Sequence, residues 1–493
     1  MAEFDEDRRF NSLEEVMKLL VSAEGKSFRE LDSTGRINHP GSRKAKGLLG
    51  QIIEESVLGY TLNSDKMPDI QVGDNFYELK VTPLKHLRRG PAPKVSAKER
   101  LVMDIINYMT LPQERFETST FWTKAQRMIV VYYYDDRNDT EAQAREDCKV
   151  LGSFVFHYEP DDLATIRADW EFIHKKVSEG YANELSESDT SYLAASTKGQ
   201  TAESSLRAAP APASSENPQI EAKQRAFSYK PSFMTAVARR VLNPSGSLNR
   251  FHLSPHQTLE EYVRLKIGNN AGRTVQDLSS EYGLPIRTAN GSISKSFNQR
   301  LTLRLLGTES TRPEEIEQFA AAGVTQVKTT VLYQDGLPQQ DMSFPYLKIK
   351  DWEELADASV QWHDSTLYRF FEETKFCITV FQGQGKNRND CLTEDDQLVG
   401  GFLWNMPERD IENYVRPAWE TVHNLMVNNK PTYYNDSDRK NRLPGKSFNG
   451  VFHMRPHGRN SKDTIELPNG EEITKQCWWL DRKYVARIVE SHL

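Results

Sequence analysis

Two stretches of the chain repeat one pattern. KQRAFSYKPSFMTAVARRVL at 223–242 and KQCWWLDRKYVARIVESHL at 475–493 each run from a Lys-Gln pair through aromatic-flanked positions and a basic residue into an apolar helix containing Ala-Arg. Further back, ETSTFWTKAQRMIVVYYYDD has a weaker counterpart in EETKFCITVFQ, where a Thr and a Lys precede a β-branched and aromatic strand. Further back again, YELKVTPL matches TQVKTTVL. Three matches in the same order imply a duplicated fold. With 493 residues the chain exceeds what one hydrophobic core organises, so two domains are expected, 1–243 and 244–493, meeting near Asn243.

Within the first unit an amphipathic helix is expected around KGLLGQIIEESVLGY. Strands are expected at NFYELKV, MIVVYYY and GSFVFHY, and a helix at LATIRADWEFIHKKVSEGY. Each unit therefore reads as mixed α/β (α+β). The low-complexity run AAPAPASSENP (208–218) looks like a linker by composition but falls inside the first unit, so it reads as an internal loop.

Composition excludes several classes. No run approaches the ~18 apolar residues of a membrane helix, and MAEFDEDRRF is acidic without an apolar h-region, so a cytoplasmic location is expected. The four cysteines, Cys148, Cys377, Cys391 and Cys477, are far apart, which argues against a zinc site or a disulfide framework. A formal charge of −7 rules out a blanket polycation, although Lys and Arg cluster locally at 83–100 and 223–240. FQGQGKNRND contains GxGK but lacks phosphate-loop spacing and reads as a loop, and Trp478 and Trp479 read first as core.

Chemistry is concentrated in PDIQVGDNFYELK, residues 68–80. On a strand Glu78 and Lys80 share one face while Tyr77 and Leu79 point to a core. The turn-rich GDN returns the chain so that Asp69 comes beside Glu78. Two hard oxygen donors on neighbouring backbone, with the remaining positions left to water and phosphate, suit Mg²⁺. A bound divalent cation neutralises charge and generates hydroxide, which is what phosphodiester hydrolysis needs; Lys80 stands where it can orient the attacking water. An ExK with an upstream PD is weak alone; Glu54 and Glu55 upstream and Lys124 before the next apolar strand add context.

KGLLGQIIEESVLG followed by PD and ELKVTPL, then FETSTFWTK, DWEFIHKKVSEG, ELSESDTSYLAASTKG and KQRAFSYKPSFMT, resembles the MutH mismatch-repair nickase and, more closely, its two-domain restriction-enzyme relatives that cut at GATC. That resemblance implies two tandem restriction-endonuclease-like domains of the PD-(D/E)xK type, the second degenerate. It implies a Mg²⁺-dependent type II restriction endonuclease hydrolysing double-stranded DNA at GATC, 5′ of the G. By the same resemblance Glu54 is the helix glutamate, Asp69 and Glu78 the metal-binding acids, Lys80 the active-site lysine and Lys124 a further lysine at the phosphate. Helical periodicity does not choose between Glu54 and Glu55, since both flank the stripe of Leu49, Ile52, Ile53 and Val57.

Lys198, in YLAASTKG, resembles the family's base-reading lysine; a lysine serves guanine O6 and N7 in the major groove. The nickase carries an arginine two residues earlier, where this chain has Ser196, so part of the readout differs. Ser228 and Lys230 fall where the family contacts the site again, and Arg88, Arg89 and Lys94 lie in a loop suited to holding phosphates. In the second unit Gln326 stands where Glu78 does, Lys328 survives, and Glu315 and Glu317 are followed by FAAAG instead of a PD turn. This unit is expected to be catalytically dead but to retain DNA contact through Arg455 and His457. One active centre cuts one strand, so a monomer that dimerises on DNA is expected, together with a cognate DNA methyltransferase. The alternatives are a strand-specific repair nickase, disfavoured by the doubled architecture, and a non-catalytic GATC-binding regulator, disfavoured by the intact acids and lysines of the first unit.

Overall fold

A computed structural model of the chain describes residues 5–39, 47–62, 67–87, 93–136, 144–198, 205–244, 249–254, 257–288, 291, 294, 296–384, 392–430, 432 and 441–493. The chain divides into two compact units. One is built from residues up to Leu248 and the other from Asn249 onward, except that 186–189 belong to the second and 320–322 to the first. Both are mixed α/β. Among the described residues no helix is long and apolar enough to cross a membrane, and Cys148, Cys377 and Cys477 are buried free thiols.

The first unit is organised by a mixed sheet. β1 (Arg9–Phe10), β2 (Ile70–Val72), β3 (Asn75–His86), β6 (Met128–Tyr134) and β7 (Val150–Val155) lie in that order, and β4 (Val95–Ala97) also pairs with β3. β6 reads MIVVYYY, and all but its last residue are buried, as a strand covered on both faces should be. It runs parallel to β3, with Glu78 opposite Met128 and Leu84 opposite Tyr134. Alternation along β3 sends Tyr77, Leu79 and Val81 to a core with Leu49, Ile52 and Ile53, which leaves Glu78 and Lys80 to the other face. A second, antiparallel sheet holds β5 (Leu101–Ile105), β11 (Arg225–Tyr229) and β8 (Leu193–Thr197), with β11 central. The helix Pro231–Leu242 follows β11 directly, proline taking its first turn, where no backbone donor is needed. The stretch read as a loop, 208–218, instead begins inside β9 (Leu206–Pro210) and closes a hairpin onto β10 (Gln219–Lys223).

The second unit repeats this plan. β12 (Val324–Leu332) is parallel to β14 (Lys375–Gln382), which is antiparallel to β15 (Gln397–Trp404), as β3, β6 and β7 are to one another. β13 (Met342–Tyr346), β19 (Gln476–Leu480) and β16 (Phe452–Pro456) form an antiparallel trio with β19 central, and the helix Arg482–His492 follows it. β17 (Thr464–Glu466) and β18 (Glu472–Thr474) make a hairpin. All three repeated sequence blocks thus fall on corresponding elements. The helices before the second block correspond too, since Ser119 caps Thr120–Ala125 and Ser365 caps Thr366–Glu373, each accepting from the backbone N–H three residues on. One difference stands out: β3 carries β2 and β4 on its outer side, whereas among the described residues β12 is the edge of its sheet.

Candidate active site

The acids and the lysine of 68–80 converge because β2 and β3 form a tight hairpin. Ile70 faces Tyr77 and Val72 faces Asn75, with Gly73 at φ +57 in the turn between them. Asp69 is thereby set opposite Glu78, and its Oδ2 accepts from the Leu79 N–H at 2.7 Å. The backbone that carries it is clamped by Arg8, whose Nε and Nη2 each donate at 2.7 Å, to the carbonyls of Asp69 and Pro68. Glu78 is 5% exposed. Its Oε1 accepts from Lys80 Nζ at 2.6 Å, while its buried Oε2 has no hydrogen-bond partner.

Glu54 completes the cluster from the far side. Its helix, Leu48–Ile52, widens into a π-turn over Ile53–Leu58 and stops at Gly59, which adopts φ +80. The widened turn separates two adjacent acids. Glu55 pairs with Arg36 at 2.8 Å. Glu54 lies within electrostatic reach of Asp69 and Glu78; burial, reinforced by Asp69, raises its carboxyl to about 7 against the pull of Lys80 and Arg8. Burial also raises Glu78, with Lys80 opposing and Asp69 adding to the shift. The Tyr60 hydroxyl is buried without a partner, and burial together with Glu54 and Asp69 pushes it far above its ordinary range.

Lys124, near the end of the helix Thr120–Ala125, is the last member; its charge acts on Glu78, and its Nζ donates to Asp104 of β5 at 3.2 Å. Asp69 beside two carboxyls raised by burial and by its charge, Glu54 and Glu78, the latter with an unpartnered buried oxygen, makes an oxygen donor set of a kind that fits a hard divalent cation. The two lysines beside them fit a phosphate. Arg8, Tyr60 and Asp104 are absent from the reading of the sequence, because each reaches the cluster from a segment with no motif of its own.

The comparisons with known proteins agree with this chemistry. The family model described as DNA mismatch repair enzyme MutH matches residues 58–169, a span that contains Asp69, Glu78, Lys80 and Lys124. Type II restriction enzyme Sau3AI of Staphylococcus aureus is 30% identical over 518 aligned positions, covering 96% of this chain and 97% of the relative. This chain belongs to the MutH-like type II restriction endonucleases. It is a site-specific deoxyribonuclease.

In this MutH-like endonuclease the residues expected to touch DNA fall into three groups. Lys94 is exposed beside β4, and Lys198 is half-buried just past the end of β8; Arg88 and Arg89 lie outside the described residues. Ser228 and Lys230 are not at the surface. Ser228 is fully buried and shares a hydrogen bond with Ser196, while Lys230 is buried with its Nζ donating to Thr190 O at 2.5 Å. Both lie where β11 runs into the helix behind it, so their side chains are used inside the fold, a consequence of the strand being central that local sequence does not reveal. Arg455 and His457 are exposed and flank Trp479, whose ring lies 5.1 Å from the Arg455 guanidinium and 5.4 Å from the His457 ring. In the antiparallel trios Thr197 faces Arg225 and Arg455 faces Cys477, the third residue of each Lys-Gln block, so Lys198 and Arg455–His457 leave their sheets at the same register.

Among the described residues the second unit carries no such donor set at the corresponding positions. Gln326 faces Phe376 as Glu78 faces Met128. By that register Lys375, the lysine of EETK, corresponds to Arg127 and not to Lys124; it is buried and paired with Glu260. Glu315 and Glu317 are bound to Arg312 and Arg250 at 2.9 Å each. Thr302 stands as far ahead of Gly307 (φ +80) as Glu54 does ahead of Gly59, and its hydroxyl is spent on Thr379 at 2.7 Å. Elsewhere in this unit His363, Glu408 and Glu412 bring metal-capable atoms together, but Glu412 is already bound by Trp362, His363 and Arg416.

Proposed function

We propose that the first unit, residues 1–243, hydrolyses double-stranded DNA at GATC, 5′ of the G, in a Mg²⁺-dependent reaction, and that the second, 244–493, is a degenerate copy that binds DNA without cutting it. The observation that carries this reading is the unpartnered, buried Oε2 of Glu78, on a carboxylate that feels the charge of Asp69 and itself acts on Glu54. Asp69 and Glu78 would hold the cation, which supplies an activated water and charge neutralisation at the scissile phosphate. Lys80, already hydrogen-bonded to Glu78, orients that water; Lys124 offers its remaining N–H donors to a phosphate oxygen; Glu54, near neutrality in proton affinity, is suited to accept or return a proton. Lys94, Lys198 and the Arg88–Arg89 loop serve as DNA contacts in the first unit, and Arg455 and His457 in the second. Ser228 and Lys230 act by bracing the reading strand from behind.

Because one active centre cuts one strand, the chain would dimerise on DNA, two chains each cutting one strand of the palindrome. A companion methyltransferase protecting the same sequence is part of the proposal. The direct test is digestion of a plasmid with several candidate sites, with and without Mg²⁺, followed by sequencing of the ends. Ends beginning with GATC, formed only with the metal, are expected; cleavage at another sequence, or undiminished cleavage in a chelator, would overturn the reading.

A further inference from the structure

In the first unit the Lys80 ammonium has a counter-charge, Glu78 Oε1, at 2.6 Å. In the second unit Gln326 has replaced that acid and Lys328 has kept its amine. Lys328 Nζ donates to Ser343 O at 2.7 Å and lies 5.2 Å from the centre of the Phe344 ring, and no carboxylate pairs with it among the described residues. Burial pulls it down to about 8, with only the buried Cys477 thiol opposing. A largely buried cation without a counter-charge is costly unless something anionic reaches it.

Lys328 lines a polar cavity of about 230 Å³ between β12 and the segment 338–343, which is tied to the end of that strand by the Gln339 N–H donating to Val331 O at 2.9 Å. Three of its lining side chains, Asn298, Thr329 and Gln339, each carry a buried polar atom with no hydrogen-bond partner. Asp341, in the same wall, is not available to Lys328: its carboxylate is bound by Lys446 and Arg455 at 2.8 Å each and by the Arg482 N–H at 2.9 Å. The cavity wall therefore combines one cation without a counter-charge with the Gln339 amide and the Thr329 hydroxyl, both able to donate to the oxygens of a tetrahedral anion, while the Asn298 oxygen can accept only where that anion carries a proton.

We infer that this cavity is an oxyanion site, taking a phosphate group through Lys328 and Gln339, from either a DNA backbone or free inorganic phosphate. The inference deepens the reading of the second unit as a non-cutting copy: the exchange of Glu78 for Gln326 converts a cation pocket into an anion pocket. Its test needs neither metal nor DNA. Inorganic phosphate titrated into the full chain in chelator, followed by calorimetry and thermal unfolding, should bind and raise the melting temperature. Lys328→Met should lose that binding by at least about tenfold, Lys80→Met should keep it, and Gln326→Glu, near-isosteric and supplying an internal counter-charge, should cancel it even if Lys328→Met folds poorly. No phosphate binding by the wild type, or equal binding by Lys328→Met or by Gln326→Glu, would overturn the inference. A competition arm separates the sources. If the natural occupant is a DNA phosphate, inorganic phosphate displaces a second duplex from the Lys80→Met protein; if it is the free ion, duplex binding is indifferent to phosphate. Because the primary readout uses no DNA, failure of the GATC assignment would leave it untouched.

Discussion

Glu54 and Glu55 leave one helical turn in different directions, one toward Asp69 and Glu78 and the other onto Arg36. Glu54→Gln should therefore slow cleavage by about two orders of magnitude with little change in DNA binding. Glu55→Gln should leave cleavage intact and cost at most ~1 kcal/mol in denaturant unfolding, the usual worth of a half-exposed ion pair. Asp69→Ala or Glu78→Ala should abolish cleavage while metal-independent binding to a GATC duplex persists; an active variant would refute the site. The proton affinity of Glu54 gives a pH signature. Its carboxyl rises from 4.5 to about 7 on folding, so between those values the folded chain binds more protons than the unfolded one, and the metal-free protein should lose stability as pH rises through that window. An ionised Glu54 adds negative charge beside the acids that would hold the cation, so the Mg²⁺ concentration for half-maximal cleavage should increase as pH falls below about 7. A Mg²⁺ titration repeated across that range checks both the sign and the window.

At the scale of elements, glycines mark where the chain has no alternative. Gly59 and Gly307 end equivalent helices at φ +80, with no heavy atom near Gly59 where a Cβ would stand, so Gly59→Ala should cost about 1–2 kcal/mol, the left-handed penalty alone. Gly180, at φ +90, is different: a Cβ would lie 2.2 Å from Pro212 N and 2.3 Å from Ala211 C. Gly180→Ala should add an overpacking cost of about 1–3 kcal/mol or more to that penalty, which equilibrium unfolding of the two variants would separate. The strands were legible because β6 is β-branched and aromatic throughout and β3 alternates acid and base against Leu and Tyr. The Glu54 direction was not, because the π-turn re-phases the helix after Ile52 and period-3.6 reasoning cannot see one extra residue per turn. Nor was the burial of Ser228 and Lys230, which follows from β11 being flanked on both sides by strands distant in sequence.

For the whole molecule, the duplication was legible in the order of three short blocks, since two of them are a strand with its adjoining helix, the third is a strand alone, and each keeps its pattern when its chemistry drifts. The long-range contacts of Arg8 and Asp104 had no such pattern, because a single side chain that meets a site across sheets leaves no periodicity. If only the first unit cuts, Gln326→Ala should leave single-turnover cleavage nearly unchanged, and a large loss would mean that the second unit shares in the chemistry. Sedimentation with and without a GATC duplex tests assembly: monomers alone and dimers with DNA are expected, and a dimer without DNA would remove the need for DNA to bring two active centres together.

The outer rim of β12, met among the described residues only by 337–339 at its end, has a consequence for how this protein can change. In the first unit, the strand bearing Glu78 and Lys80 is flanked by a hairpin whose first arm delivers the other acid, Asp69. In the second unit, among the described residues, no strand corresponding to β2 pairs alongside β12, so on the proposed reading scaffolding as well as a charge is lost. Reverting Gln326 to glutamate would restore one oxygen donor with nothing to hold its companion. On the proposed reading, no single substitution would restore a nuclease there.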